Sequence, residues 1–89
     1  MPAISMFYGI IIYLYFFDTE KRHKPHIHAE FAEYEATLSI TDGELLSGSL
    51  PKKKLKMVQA WIAIHEDELM ADWKLASDGK EPFKVSPLK

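Results

Sequence analysis

The chain has no cysteine in its 89 residues. Disulfide bonds, thiolate metal sites and thiol catalysis are therefore excluded. A domain of this length buries only a modest share of its surface, and it has no disulfide to compensate. We therefore expect a homodimer or a small partner protein to add stability.

The chain also lacks an excess of positive charge, because its formal net charge is −2. A global basic field of the kind that drives non-specific nucleic-acid binding is missing, so any contact with RNA or DNA would have to be local. Hydrophobic residues make up 47% and charged residues 27% of the chain, which is an ordinary globular composition. We predict a single domain over residues 1–89.

A long hydrophobic run is missing as well. The longest candidate, Met6 to Phe17, falls well short of the roughly 20 apolar residues that a membrane-spanning helix needs. It lies too close to Met1 to leave a basic leader region, and no small-residue cleavage site follows it. The sequence thus predicts neither a membrane helix nor a signal peptide, and we expect a cytoplasmic protein.

The apolar run from Phe7 to Phe17, rich in Ile, Tyr and Phe, predicts a central strand covered on both faces. Its odd positions include Tyr13 and Tyr15, which give one face the aromatic, partly polar character of a partner surface.

Residues 18–25 are charged and end in a proline, which predicts a loop. Two half-buried strands follow, in which polar residues alternate with Ile27, Ala29, Phe31, Tyr34, Ala36, Leu38 and Ile40.

The register of these two strands follows from their alternation. If Ala32-Glu33 is a two-residue hairpin loop, Phe31 faces Tyr34 and every apolar residue lies on one side of the sheet. A slip of one residue would destroy this match. Neither loop residue is the Gly or Asn that such a turn prefers, so a longer loop with a shifted pairing is the alternative.

Asp42-Gly43 predicts a further hairpin turn, followed by a short fourth strand near Leu45 to Gly48. Ser49 is the predicted N-cap of a helix from about Pro51 to about Ser77. The stripe of this helix that is fit to cover a sheet face contains Leu55, Val58, Ile62, His65, Leu69 and Trp73. The predicted fold class is α+β, with a small antiparallel sheet of about four strands and a C-terminal helix packed on one face.

The strongest candidate site consists of His26, His28, Glu30 and Glu35. In the predicted register the first three share one face, and Glu35 stands directly opposite Glu30 on the next strand. Opposed like charges are destabilising, so the pair is best explained by a cation above it. A divalent metal held by His28 and the carboxylates, with His26 as a further ligand, is one candidate, and a lysine or arginine of a partner is another. The alternative is a solvated face.

Lys52, Lys53 and Lys54 crowd the first turn of the predicted helix, where the macrodipole favours anions. Together with the free N–H groups of that turn they form a candidate anion-binding site, and the alternative is a solvated charged end.

His65 lies inside the apolar stripe and is predicted to be a hydrogen-bonded, partly buried structural histidine.

Several segments together resemble one bacterial family. They are Met1 to Ile10, Pro25 to Glu30, Tyr34 to Ala36, Gly48 to Pro51, and the helix residues Trp61, His65, Leu69 and Trp73. On these residues the chain resembles, over nearly its whole length, domain of unknown function 4160 (DUF4160). Relatives usually read Pro-His-Phe-His-Ala in the second segment, so Ile27 is a conservative change, and they carry a basic residue where this chain has Tyr13.

The resemblance implies no established biochemical activity. Family members are short stand-alone proteins, often encoded beside a second small protein in an arrangement similar to toxin–antitoxin pairs. The first hypothesis is therefore a protein-interaction or regulatory module that binds its partner through Tyr13 and Tyr15 or through the histidine-bearing strand. The alternative hypothesis is a metal- or histidine-dependent enzyme acting on RNA or a small anionic substrate.

Overall fold

The computed structural model describes residues 3–15 and 24–89, and these form an antiparallel sheet followed by two helices. The elements are β1 (Ser5–Phe7), β2 (Ile10–Tyr13), β3 (His26–Phe31), β4 (Tyr34–Ser39), β5 (Leu45–Gly48), α1 (Lys52–Ile64) and α2 (Glu66–Ser77). The five strands lie side by side in chain order, and every neighbouring pair is antiparallel. This confirms the predicted α+β class. No helix in the described residues is both long enough and apolar enough to cross a membrane.

The first apolar run forms a hairpin, so the prediction of one strand starting at Phe7 is wrong. Tyr8 and Gly9 both have positive φ, at 50° and 79°, which is the backbone of a two-residue primed turn. Glycine at the second turn position is the sequence signal for such a turn. The consequence is that β3, rather than the first apolar run, is the central strand of the sheet. Phe16 and Phe17 lie outside the described residues.

The predicted register of the histidine-bearing hairpin is confirmed. Phe31 pairs with Tyr34, Ala29 with Ala36 and Ile27 with Leu38, so Ala32-Glu33 is the two-residue loop. Ala32 has a φ of 52°, a left-handed conformation that L-residues other than glycine adopt at a cost. The side-chain alternation therefore outweighs the unsuitable turn residues.

Replacing Ala32 by glycine is expected to raise the free energy of unfolding by about 0.5 kcal/mol. The gain from relieving the left-handed alanine, about 1 to 2 kcal/mol, exceeds the extra unfolded-state entropy of glycine. Urea unfolding followed by circular dichroism measures the difference. Ala60→Gly is the control, because Ala60 is exposed on α1 and should lose about 1 kcal/mol. A loss of stability in Ala32→Gly would contradict the prediction.

Both helices cover one face of the sheet and form the core with it. Val58, Trp61 and Ile62 of α1 and Leu69 of α2 are buried there. The sheet side of the core consists of Ile10, Ile12, Leu14, Ile27, Ala29, Ala36, Leu38 and Ile40. The face that the apolar alternation selects is therefore the one that the helices cover.

The predicted single helix is divided at His65, whose φ and ψ are −111° and 22°. Helical hydrogen bonds flank this residue on both sides: the N–H of His65 donates to the Trp61 carbonyl, and the N–H of Leu69 donates to the His65 carbonyl. Acidic residues fill the first turn of α2, which suits a helix start. Pro51, rather than Ser49, is the N-cap of α1, because the helix begins at Lys52. Ser49 directly follows β5, and its N–H donates to the Glu35 carbonyl.

The C-terminal tail is fastened to the domain at three points. The N–H of Val85 donates to the Ile4 carbonyl at 2.8 Å, and the indole N–H of Trp61 donates to the Ser86 carbonyl at 2.8 Å. The N–H of Phe83 donates to the Asp72 carboxylate at 2.9 Å. Burial raises the pKa of Asp72, although this hydrogen bond opposes the rise. The tail thus closes the core beside β1.

Candidate functional site

The sheet face opposite the helices carries the predicted site residues. We call it the open face and define it by Met6, Ile11, Tyr13, Tyr15, His28, Glu30, Glu35, Thr37 and Ser47. Strand pairing arranges most of these residues in two rows that cross the sheet. The Glu row contains Met6, Ile11, Glu30 and Glu35, and the His row contains Tyr13, His28, Thr37 and Ser47.

The open face is concave. A depression of about 530 Å³ is lined by Tyr13, Tyr15, His28, Ala29, Glu30, Glu35, Ala36, Thr37, Ser47 and Gly48. It therefore joins the predicted aromatic surface of β2 to three of the four predicted residues on β3 and β4. These two surfaces were predicted as separate candidates, whereas in the structure they line one depression.

Glu30 and Glu35 stand opposite each other on β3 and β4, as the register predicts. Glu30 is partly exposed and Glu35 is exposed. Among the described residues, no lysine, arginine or histidine forms an ion pair with either carboxylate; Lys24, for instance, pairs with Asp42 and Glu44. The open face therefore concentrates negative charge that its own described residues leave uncompensated.

His28 is held in a defined orientation at the centre of the depression. Its ring stacks on Tyr15 with a centroid distance of 4.3 Å and an interplanar angle of 3°. Its Nδ1 lies 3.3 Å from the Thr37 hydroxyl across the strand pair. Stacking and cross-strand hydrogen bonding together give the depression a rigid aromatic floor.

His26 does not reach the depression, although the register places it on the same strand side as His28. Its side chain is fully buried, and Trp73 of α2 packs against it with ring centroids 5.0 Å apart. Its Nδ1–H donates to the Lys24 carbonyl at 2.8 Å, since a carbonyl can only accept. His26 thus has a packing role at the covered end of the face, because α2 reaches the first residue of β3.

The predicted metal site finds limited support in this geometry. The rings of His26 and His28 meet edge to face at 5.0 Å, an arrangement typical of aromatic packing. Within residues 3–15 and 24–89, no group of three or more His, Asp or Glu side chains is arranged to hold a metal ion. His23 and Met1-Pro2, which also carry potential ligands or catalytic groups, lie outside the described residues.

The candidate anion site at the start of α1 is only partly available. Lys52 and Lys53 are exposed on the first turn. Lys54 instead donates to the Tyr8 carbonyl at 3.0 Å and lies 4.8 Å from the centre of the Phe31 ring. One of the three predicted lysines therefore ties α1 to the first hairpin.

His65 has the hydrogen-bonded, partly buried position predicted for it. Its Nδ1 lies 2.6 Å from the Glu68 carboxylate, and its ring packs on Trp61 at 5.6 Å. Met6, Ile11, Thr37 and Ser47 were not predicted as site residues. The predicted register already places Thr37 opposite His28, and extending it across one more strand reaches Ser47. Met6 and Ile11 required recognition of the first hairpin.

A family model described as a domain of unknown function, DUF4160, matches residues 9–74. The matched range contains β2 to β5, α1 and most of α2, and so all of the open face except Met6. Comparison with curated proteins and with solved structures found no match.

Proposed function

The chain belongs to the DUF4160 family, and we propose that it is a protein-interaction module that docks a small partner protein on its open face. The observation that carries the proposal is the shape and composition of that face. One side of the sheet is sealed by α1 and α2, while the other is a concave surface with two tyrosines, a stacked histidine and two carboxylates. A rigid aromatic surface with a polar rim is typical of protein interfaces.

The partner that we propose is the second small protein of a two-protein pair. The resemblance to short proteins encoded beside another small protein supports this arrangement, including a toxin–antitoxin-like relation between the two. A module of this kind acts by occupying or masking its partner, so its essential property is a surface of fixed shape. The stacking of Tyr15 on His28 provides such a surface.

An enzyme that acts through His28 has less support. The ring lies in the same depression as two carboxylates, but its described hydrogen-bond partner is the Thr37 hydroxyl, and no group of three or more His, Asp or Glu side chains among the described residues is arranged to hold a metal ion. His26, the other candidate acid or base, is fully buried and packs against Trp73. The docking function requires only groups that the open face displays.

The docking function predicts that Tyr13→Ser strongly reduces co-purification with the partner. The chain is co-expressed with the protein encoded next to it, and that neighbouring protein carries an affinity tag. The amount of chain that is retained with the tagged neighbour is then measured. Loss of a central interface tyrosine should lower retention by about ten-fold or more. Growth is compared in cells that express each protein alone and in cells that express both. Growth arrest by one protein alone that the other protein relieves would support the toxin–antitoxin relation.

Two further variants make the result interpretable. Ser47→Arg places a large side chain on an exposed rim position of the open face, so it should block docking without disturbing the core. Tyr34→Ser removes an exposed tyrosine outside the depression and should leave retention unchanged. Thermal unfolding of each variant checks that it is folded. Retention of both Tyr13→Ser and Ser47→Arg at the wild-type level, or no retention of the wild-type chain, would overturn the proposal.

A further inference from the structure

We infer that the partner segment that docks on the open face is basic, with an apolar side chain next to its arginine or lysine. This inference rests on the proposed function and specifies the chemistry of the partner. It follows from the order of side chains along the Glu row, which runs from Met6 on β1 to Glu35 on β4. Neighbouring strands are about 4.8 Å apart, so this row changes from apolar to acidic over roughly 14 Å.

The apolar end of the row is accessible to a partner. Met6 has 61% of its surface accessible, and its cross-strand neighbour Ile11 is only partly buried. A flexible thioether beside a branched aliphatic side chain offers an adaptable contact for an apolar group of a partner. The apolar end and the acidic end are adjacent, because Ile11 pairs with Glu30 on the next strand.

The acidic end defines the charge of the occupant. Glu30 and Glu35 repel each other across β3 and β4, and no ion pair with a described residue relieves this repulsion. A guanidinium or ammonium group above the pair would relieve it and form charge-assisted hydrogen bonds. Tyr13 lies diagonally across from Glu30 and presents an aromatic ring to the same cation, which favours arginine for its planar, stacking guanidinium.

A second copy of the chain fits this face poorly. In a symmetric dimer the same patch occurs on both sides, so the acidic ends of two Glu rows would share one interface. None of the described residues that line the depression is a lysine or an arginine, so these residues would bring four carboxylates and no cation to such an interface. Charge complementarity therefore favours a different, basic partner over self-association.

The test uses a defined 12-residue peptide of leucine and arginine, titrated into the isotopically labelled protein and followed by amide chemical shifts. Two matched peptides replace arginine by citrulline, which keeps the shape without the charge, or by glutamate. We expect the arginine peptide to perturb the open-face amides and to bind about five-fold or more tightly than the citrulline peptide. We also expect the affinity of the arginine peptide to decrease as the salt concentration rises. The glutamate peptide should not bind.

The variant Glu30→Gln/Glu35→Gln should lower the affinity for the arginine peptide about five-fold or more, without loss of stability because it removes a repulsion. Glu33→Gln is the matched control, since Glu33 is an exposed carboxylate on the hairpin loop, outside the depression. Equal binding of the arginine and citrulline peptides, an unchanged double variant, or shifts confined to other surfaces would overturn the inference.

The same double variant in the co-purification experiment separates the two proposals. If the neighbour protein is lost by Tyr13→Ser but retained by Glu30→Gln/Glu35→Gln, the basic-segment inference is wrong and the docking function stands. If neither Tyr13→Ser nor Ser47→Arg reduces retention of the chain by its tagged neighbour, the docking function is wrong, even if the arginine peptide binds. Self-association of the wild-type chain that Ser47→Arg abolishes would assign the face to a second copy and overturn the inference.

Discussion

Replacing Trp61 by alanine is expected to lower the free energy of unfolding by about 3 to 5 kcal/mol. The indole is fully buried, and it packs against the Phe7 ring at a centroid distance of 5.3 Å. Its N–H also holds the tail through the Ser86 carbonyl. A domain of this size has a total stability of about 4 to 13 kcal/mol, so the variant should be largely or partly unfolded at 37 °C. Urea unfolding followed by near-ultraviolet circular dichroism measures the loss.

Trp61→Phe separates the two contributions of this side chain. Phenylalanine keeps most of the buried ring but cannot donate to Ser86, so we expect a loss of about 1 to 2 kcal/mol and a tail that is more easily cut by protease. The tail should remain protected in Tyr34→Ser, which touches neither feature. A Trp61→Ala variant as stable as the wild type would show that the sheet and helices do not share the core described above.

The local part of the site could be predicted from the sequence because strand side chains alternate with a period of two residues. That alternation predicts the observed pairing of β3 with β4 through Ile27, Ala29, Ala36 and Leu38, and with it Glu30 opposite Glu35. The loop residues Ala32-Glu33 left a longer loop with a shifted pairing as the alternative, and the structure shows the register in which all apolar residues lie on one face. The position of β5 followed from the strong turn signal Asp42-Gly43 in the same way.

The parts that could not be predicted depend on contacts between residues distant in sequence. His26 has the same alternation as His28, yet it is fully buried and packs against Trp73 of α2, a contact that alternation along one strand does not indicate. The division of the helix at His65 was also not predicted, because the apolar helical periodicity continues through it. The first hairpin was missed for a different reason: an unbroken apolar run concealed the turn at Tyr8 and Gly9.

Replacing Gly48 by alanine is expected to lower the free energy of unfolding by about 2 to 4 kcal/mol. Gly48 ends β5 with a φ of 77°, where an L-residue costs about 1 to 2 kcal/mol. A Cβ at this position would also overlap the carbonyl oxygen of Glu35, and backbone, unlike a flexible side chain, cannot move aside cheaply. Gly79→Ala is the matched control: its φ is 78° but a Cβ there meets nothing within 4 Å, so it should lose only about 1 kcal/mol.

The clash at Gly48 connects fold stability to the open face. The Glu35 carbonyl that the Cβ would meet accepts the N–H of Ser49, so an alanine must separate β5 from β4 beside the depression. Ser47 and Gly48 both line that depression, and the separation would widen it. We therefore expect Gly48→Ala to weaken binding of the arginine peptide even at low temperature, where the variant is still folded, while Gly79→Ala binds normally. Equal unfolding free energies for the two variants would show that close approach of the strands does not require glycine at position 48.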